Sequence, residues 1–271
     1  MSLQMTTQKS LLTYFLAILV SLLLGQKTCA QVIAISPSAS SEATPTLNFV
    51  WQSKNTKGVL IFIPGGEGHL GITPDRKNLG GFYGSTLKPL SDPSLTSGQF
   101  DVVVFDSPTA LPVGKAYPVS RTAQDHLSRI DSVVQYFKNK TSKPIWLMGH
   151  SNGAVSITEY YKYLKKEKRD TAIAGMVYSS ARNGADFPAD THLPVLFLAH
   201  EKDGCRISTN YASRVVYDSL SKTNTEKTQY VVLKGGEEES GHPCASGYHM
   251  FYGAGDEAYK AIDAFSSEYL K

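Results

Sequence analysis

The chain has 271 residues, of which 41% are hydrophobic and 19% charged, and its formal net charge is +3. This is the composition of an ordinary globular protein of one large or two small domains. So small a charge, with no Lys/Arg cluster alternating with aromatics, gives no support for a nucleic-acid partner.

Residues 1–30 read as a secretory signal peptide. Lys9 precedes the apolar run LLTYFLAILVSLLLG, and Thr28 and Ala30 occupy the −3 and −1 positions of a cut before Gln31. The alternative is an uncleaved anchor, for which the run is slightly short. Lys27 and Thr28 fit a lipid-attachment site at Cys29 poorly. The polar stretch SPSASSEATPT then suggests a mobile leader over 31–49, with a folded domain over 50–271. The expected location is secreted or periplasmic, with no stable membrane span after cleavage. Cleavage removes Cys29 and leaves Cys205 and Cys244, an even pair that in an oxidising compartment points to a disulfide.

Six apolar runs of strand length follow: GVLIFIPGG (58–66), FDVVVFDSP (100–108), PIWLMGHS (144–151), AIAGMVYSS (172–180), LPVLFLAHEKD (193–203) and QYVVLKGG (229–236). Their apolar residues are continuous rather than alternating, as in strands buried on both faces of a parallel sheet. Helical patterns lie between them. Ala123, Leu127, Ile130, Val134 and Phe137 recur at three- and four-residue steps, with Thr122 and Asp125 as a capping box. Val155, Tyr160, Tyr161 and Leu164 mark a second helix, STNYASRVVYDSLSK a third, and Ala258, Ile262 and Phe265 a last one. KKEKR at 165–169 reads as a solvated helix end. Alternating strands and helices predict an α/β fold with a mainly parallel sheet and helices on both faces. The Gly-, Pro- and Ser-rich interval 67–99 predicts a short helix near 83–90 and a loop over the C-terminal edge of the sheet, and ARNGADFPADTH is too short for a cap domain.

The third run ends in GHSNG, which fits G-x-S-x-G: Gly149, His150, Ser151, Asn152, Gly153. The pentapeptide alone is a weak signal. A buried strand before it and a helix after it make it a nucleophile elbow, with Ser151 exposed at a strained turn and the helix N-terminus directing N–H groups toward it. A serine needs a base, an acid and an oxyanion site. Asp203 follows a later strand directly; Asp186 is the alternative acid. His249, in YHMFYG before the final helix, is the preferred base, with His242 as the alternative. His69, His126, His150, His192 and His200 stand in the wrong places for a base. Asn152 offers one backbone oxyanion donor, and Gly66 of PGGEG the other.

Strand–PGGEG, strand–GHSNG–helix, strand–HEKDGC and strand–SGHPCASGYHMFYG–helix together resemble the α/β-hydrolase fold over about 58–271. The resemblance implies Ser151 as nucleophile, Asp203 as acid and His249 as base, with no metal and no cofactor. PGG stands where many esterases of this fold carry HGGG, a departure that concerns the second oxyanion donor. The implied function is a serine esterase on a small or polymeric ester, with Phe82, Tyr83 and Tyr117 near an open mouth. The alternatives are an amidase or peptidase on the same triad, and a non-catalytic binding protein of hydrolase fold. A Cys205–Cys244 bond would tie the acid's loop to the base's loop.

Overall fold

The computed structural model describes residues 30–37, 43–113 and 117–270, apart from the side chains of 117 and 118. Residues 1–29 of the expected signal peptide, and the side chain of Tyr117, lie outside the described part. Strands β1 (Ala30–Ile35), β2 (Thr46–Trp51), β3 (Gly58–Ile63), β4 (Phe100–Asp106), β5 (Ile145–His150), β6 (Gly175–Ser179), β7 (Val195–His200) and β8 (Thr228–Leu233) form one sheet. Its order is β1-β2-β4-β3-β5-β6-β7-β8, parallel from β4 to β8. The helices are α1 (Tyr117–Thr122), α2 (Gln124–Thr141), α3 (Asn152–Lys166), α4 (Asn210–Leu220) and α5 (Gly255–Ser267).

Every residue of β3 is buried, because both faces of the sheet are covered. Val59, Ile61 and Ile63 enter one core with Ile130 and Val134 of α2 and Ile157 and Tyr161 of α3. Leu60 and Phe62 enter the other with Ile262 and Phe265 of α5 and with Leu87 and Leu90. Leu87 and Leu90 belong to two short helical turns, Tyr83–Leu87 and Lys88–Ser91, where a short helix is expected. Only residues 180–194 join β6 to β7, without a helix, so no cap domain is inserted there.

Two expectations are corrected. The first is the mobile leader over 31–49. Its ends are strands: β1 pairs antiparallel with β2, and β2 antiparallel with β4. In β2, Phe49 and Trp51 enter one core and Val50 the other, so TLNFVW is a buried inner strand. The polar run between the strands masked them. The second is the capping box. Ala123 is extended at the break between α1 and α2, Thr122 Oγ1 donates to Val119 O at 3.3 Å, and Asp125 pairs with Arg129 at 2.9 Å. The basic run at 165–169 does end α3, with 166–168 exposed, while Lys165 meets Asp190 at 2.8 Å and Arg169 meets Asp131 at 2.7 Å.

Candidate active site

The loops after β3, β5, β7 and β8 all leave the C-terminal ends of parallel strands, so they gather at one edge of the sheet, where ligands bind in open α/β sheets. The tightest of them is the elbow. Ser151 takes φ 53° and ψ −121°, a backbone region costing about 1–3 kcal/mol for a non-glycine residue. Its surroundings hold it there. Its N–H donates to Ser179 O at 3.0 Å, and its carbonyl accepts from the N–H groups of Ala154 and Arg182 at 3.0 and 3.1 Å. The flanking glycines are required by contact. A Cβ on Gly149 would lie 2.4 Å from Gly153 O, and one on Gly153 would lie 2.0 Å from Ile63 O. Strand β3 and helix α3 therefore touch through bare backbone, which places the loop after β3 against the serine.

That loop carries Pro64-Gly65-Gly66. A Cβ on Gly65 would come within 2.8 Å of Ser151 Cβ, so this segment also packs as bare chain. Gly66 has φ +53° and its carbonyl accepts from Asn152 Nδ2 at 3.0 Å. The same carbonyl accepts from Arg121 Nη2 at 2.9 Å, while Arg121 Nη1 donates to Pro64 O and to Ser156 Oγ, both at 3.1 Å. Turning the Gly66 carbonyl toward these donors orients the loop's backbone at the serine, and the first N–H groups of α3, Asn152 included, have no intrahelical acceptor. Arg121 is buried, and burial pushes its pKa down to about 10. Ser156 in turn lies 2.9 Å from His126 Nε2, and burial, with the nearby charges of Arg121 and Arg129, pushes the His126 pKa down to about 3. Sequence reasoning missed this buried cluster. Arg121 sits in a short polar segment whose pattern carries no signal of burial.

On the other side of the serine, the structure brings Asp203 and His249 together. Asp203 Oδ2 lies 2.8 Å from His249 Nδ1, with both side chains almost wholly buried. Asp203 Oδ1 accepts from Cys205 N at 2.9 Å, which fixes the carboxylate's rotation. His249 Nε2 is buried and has no hydrogen-bond partner among the described residues, so a bond to Ser151 Oγ is not formed; such bonds are often long in a free enzyme and tighten with substrate. The alternatives lie elsewhere. Asp186 is exposed and pairs with Lys162 at 2.7 Å, and His242 is exposed, its Nδ1 accepting from Cys244 N at 3.2 Å. The Cys205–Cys244 disulfide is present, closing a sequence separation of 39.

His150 lies beneath the pair. Its ring is 5.0 Å from that of His249 and 4.8 Å from that of Phe82, and its Nδ1 is 3.0 Å from Ser179 Oγ. Burial first, and the charge of His249 second, hold its pKa well below the usual imidazole range, so His150 is neutral. Ser151 and His249 line one cavity of about 280 Å³, with Gly66, His69 and Tyr83 among its walls. His69 Nδ1 is 2.7 Å from Ser107 O, and His200 is buried, its Nε2 3.0 Å from Gly235 O. His192, half exposed, lies 3.5 Å from Asp170. Among the described residues no group of three or more His, Cys, Asp or Glu side chains is placed to hold a metal ion, and no helix is long and apolar enough to cross a membrane.

No protein-family model matches the chain, and no curated protein matches it in sequence. Solved structures share its fold. A serine α/β hydrolase without a lid from Xanthomonas campestris superposes with a TM-score of 0.59 at 12% identity, covering 90% of this chain and 97% of that one. A dienelactone hydrolase from Anabaena variabilis gives 0.57 at 11% identity, over 91% and 100%. Est1E from Butyrivibrio proteoclasticus, solved with ferulic acid bound, gives 0.58 at 13% identity, over 88% and 99%. The chain has the α/β-hydrolase fold, without a lid. At these identities the likeness speaks for the fold alone.

Proposed function

We propose that this chain is an exported serine hydrolase that cleaves a carboxylic ester through an acyl-enzyme. One observation carries the reading: a buried carboxylate holds His249 Nδ1 at 2.8 Å while Nε2 has no partner among the described residues, and His249 and Ser151 line one cavity. With the Nδ1 proton donated to Asp203, the lone pair of the neutral ring is on Nε2, the atom that must accept the serine proton.

Ser151 Oγ attacks the acyl carbonyl as its proton passes to Nε2. The oxyanion is received by the backbone N–H groups of Asn152 and Gly66, and Nε2 returns the proton to the leaving alcohol oxygen. A water molecule then repeats the sequence and releases the acid. Asp203 stays ionised throughout and stabilises the imidazolium. His150 assists by what it lacks: held neutral 5.0 Å from His249, it sets no second positive charge against that imidazolium. Export is supported by the signal-peptide layout of residues 1–30 and by the disulfide.

The test is a set of initial rates on p-nitrophenyl acetate, butyrate and octanoate beside the matching p-nitroanilides, for the mature protein and for Ser151→Ala. Esters should turn over and the variant should lose about 10⁴-fold or more. Faster turnover of the anilides would make the protein an amidase. Activity within tenfold in Ser151→Ala would remove the serine from the mechanism.

A further inference from the structure

The cavity at Ser151 shares a wall with a second one. Tyr83, Ala245 and Met250 also line a second cavity of about 560 Å³ on their far side, twice the volume of the first. The dividing ring is fixed in place. Tyr83 stands edge-on to Phe62 at 5.8 Å and to Phe82 at 5.9 Å, and burial raises its hydroxyl pKa to about 12. The second cavity is roomy because its lining at Gly80 and Gly81 has no side chains; a Cβ built at either position meets nothing within 4 Å. Tyr252 forms another wall. Its side chain is 48% exposed although its backbone is anchored, its N–H on Gly247 O and its carbonyl on Glu237 N, both at 3.0 Å. A large aromatic ring held by its main chain and left open to solvent is a stacking platform. Beside it, Glu239 is oriented by a bond from Gly247 N to its Oε2 at 3.3 Å.

Two features point to the end of an ester that would reach this space. The leaving oxygen must lie against His249 Nε2 to receive its proton, and the shared wall includes Met250, the next residue in the chain. An alcohol half that leaves the first cavity past the shared wall of Tyr83, Ala245 and Met250 enters the second. The walls then select its chemistry. Flat aromatic faces favour a ring, and a carboxylate favours hydroxyl groups over a bare hydrocarbon, which would desolvate it without replacing its hydrogen bonds.

We propose that the second cavity is a subsite for a hydroxylated ring in the alcohol half of the substrate, stacked against Tyr252 and hydrogen-bonded to Glu239. The ring is supplied by a sugar or by a phenol, which offer the same chemistry here. The proposal rests on the serine-hydrolase reading above, and it names the substrate class of that same site.

The experiment keeps the acyl group constant as acetate and varies the alcohol: ethyl acetate, cyclohexyl acetate, an acetylated methyl glucoside and 4-hydroxyphenyl acetate. Each is run on the mature protein and on Tyr252→Ala, Gly80→Leu and Glu239→Gln, and each variant is compared with the parent on the same ester, which cancels differences in leaving-group acidity. Gly80→Leu adds bulk at the cavity wall where a Cβ meets nothing within 4 Å, so it tests the space itself. Tyr252→Ala and Gly80→Leu should lower kcat/KM about tenfold on one or both hydroxylated rings and leave ethyl acetate within about twofold. Glu239→Gln should act on the hydroxylated rings and spare cyclohexyl acetate. The hydroxylated ester that loses most identifies the source as sugar or phenol. Equal losses on ethyl acetate, or no loss on any ring, overturns the subsite. Loss of turnover on every ester by Ser151→Ala together with unaffected ring esters in these variants would leave the hydrolase reading standing and the subsite refuted; turnover that survives Ser151→Ala would refute the hydrolase reading first.

Discussion

The two halves of the site are built in opposite ways. On the elbow side, Gly149 and Gly153 lie against neighbouring backbone, and Gly65 against Ser151 Cβ and His150 O, at spacings that admit no Cβ, and one buried arginine holds the carbonyls of Pro64 and Gly66. On the histidine side, His249 rides on a long and mostly exposed segment between β8 and α5. That segment is closed at its neck by the Glu237 N–Tyr252 O bond at 3.0 Å and by Gly253, whose Cβ would come within 3.0 Å of Gly236 Cα. Beyond its neck it is tied to the acid's loop by the disulfide and by the Asp203–His249 bond. Close packing and a buried arginine fix one half, and a covalent bond and a few hydrogen bonds fix the other. Each half should therefore fail under its own kind of perturbation.

The largest effect should come from the single hydrogen-bonded pair. His249→Ala should cost about 10⁴-fold or more in kcat, and combining it with Ser151→Ala should add little, because the residues act as a unit. Asp203→Asn should cost up to about 10⁴-fold by favouring the wrong tautomer, whereas Asp186→Asn and His242→Ala should stay near wild type. A large loss at Asp186 or His242 alone would move the acid or the base.

Next is the arginine. Arg121→Met keeps the length of the side chain and removes its donors to Pro64, Gly66 and Ser156. The loop's carbonyls then lose their orientation, and a shift of about 1 Å in an oxyanion donor can cost about 10²-fold. The loss should fall on kcat with KM little changed, and Arg121→Lys should recover part of it. A rise in KM alone would mean that the arginine shapes ground-state binding instead.

The disulfide should matter less to the rate and more to stability. Closing a separation of 39 residues contributes about 4 kcal/mol in the chain-entropy account. Reduction, or Cys205→Ala with Cys244→Ala, should lower turnover at temperatures where the sheet remains folded, and should lower the melting temperature. Unchanged values of both would show that the histidine loop is held without the bond.

The smallest effect is one of pH on stability. His126, beside Arg121, and His150, beneath His249, are buried and neutral, with pKa values depressed below that of an unfolded imidazole. The unfolded chain takes up protons below about pH 6.5 that the folded chain does not, so stability rises with pH over that range and is lost on acidification. Between about pH 6.5 and 5 the His126 imidazole should cost about 1.5 kcal/mol of unfolding free energy, and His150 should act in the same direction. Urea titrations at the two pH values measure it, and His126→Asn should lower the slope by about its own share. A slope unchanged by that substitution would mean that His126 is not buried and neutral.

The same contrast explains what could be read from the sequence. Continuous apolar runs exposed the six parallel strands because burial on two faces leaves a one-dimensional trace. GHSNG was legible because a close contact demands glycine at two fixed offsets, 149 and 153. Asp203 and His249 followed from their positions after strands. The antiparallel β1 and β2 were not legible, since a polar insert stands between them and the pattern of β2 depends on a partner, β4, reached only through the fold. Arg121 was hidden for a similar reason. Its burial depends on carbonyls more than fifty residues away, and local composition gives no sign of them.

The central claim is that Ser151 is a serine activated by His249. A fluorophosphonate probe incubated with the mature protein, followed by digestion and peptide mass spectrometry, tests it directly. The account predicts one adduct, on the peptide containing Ser151, formed at a rate that falls sharply in His249→Ala although that variant retains the serine. Labelling at another residue, or equally fast labelling of Ser151 in His249→Ala, would contradict it.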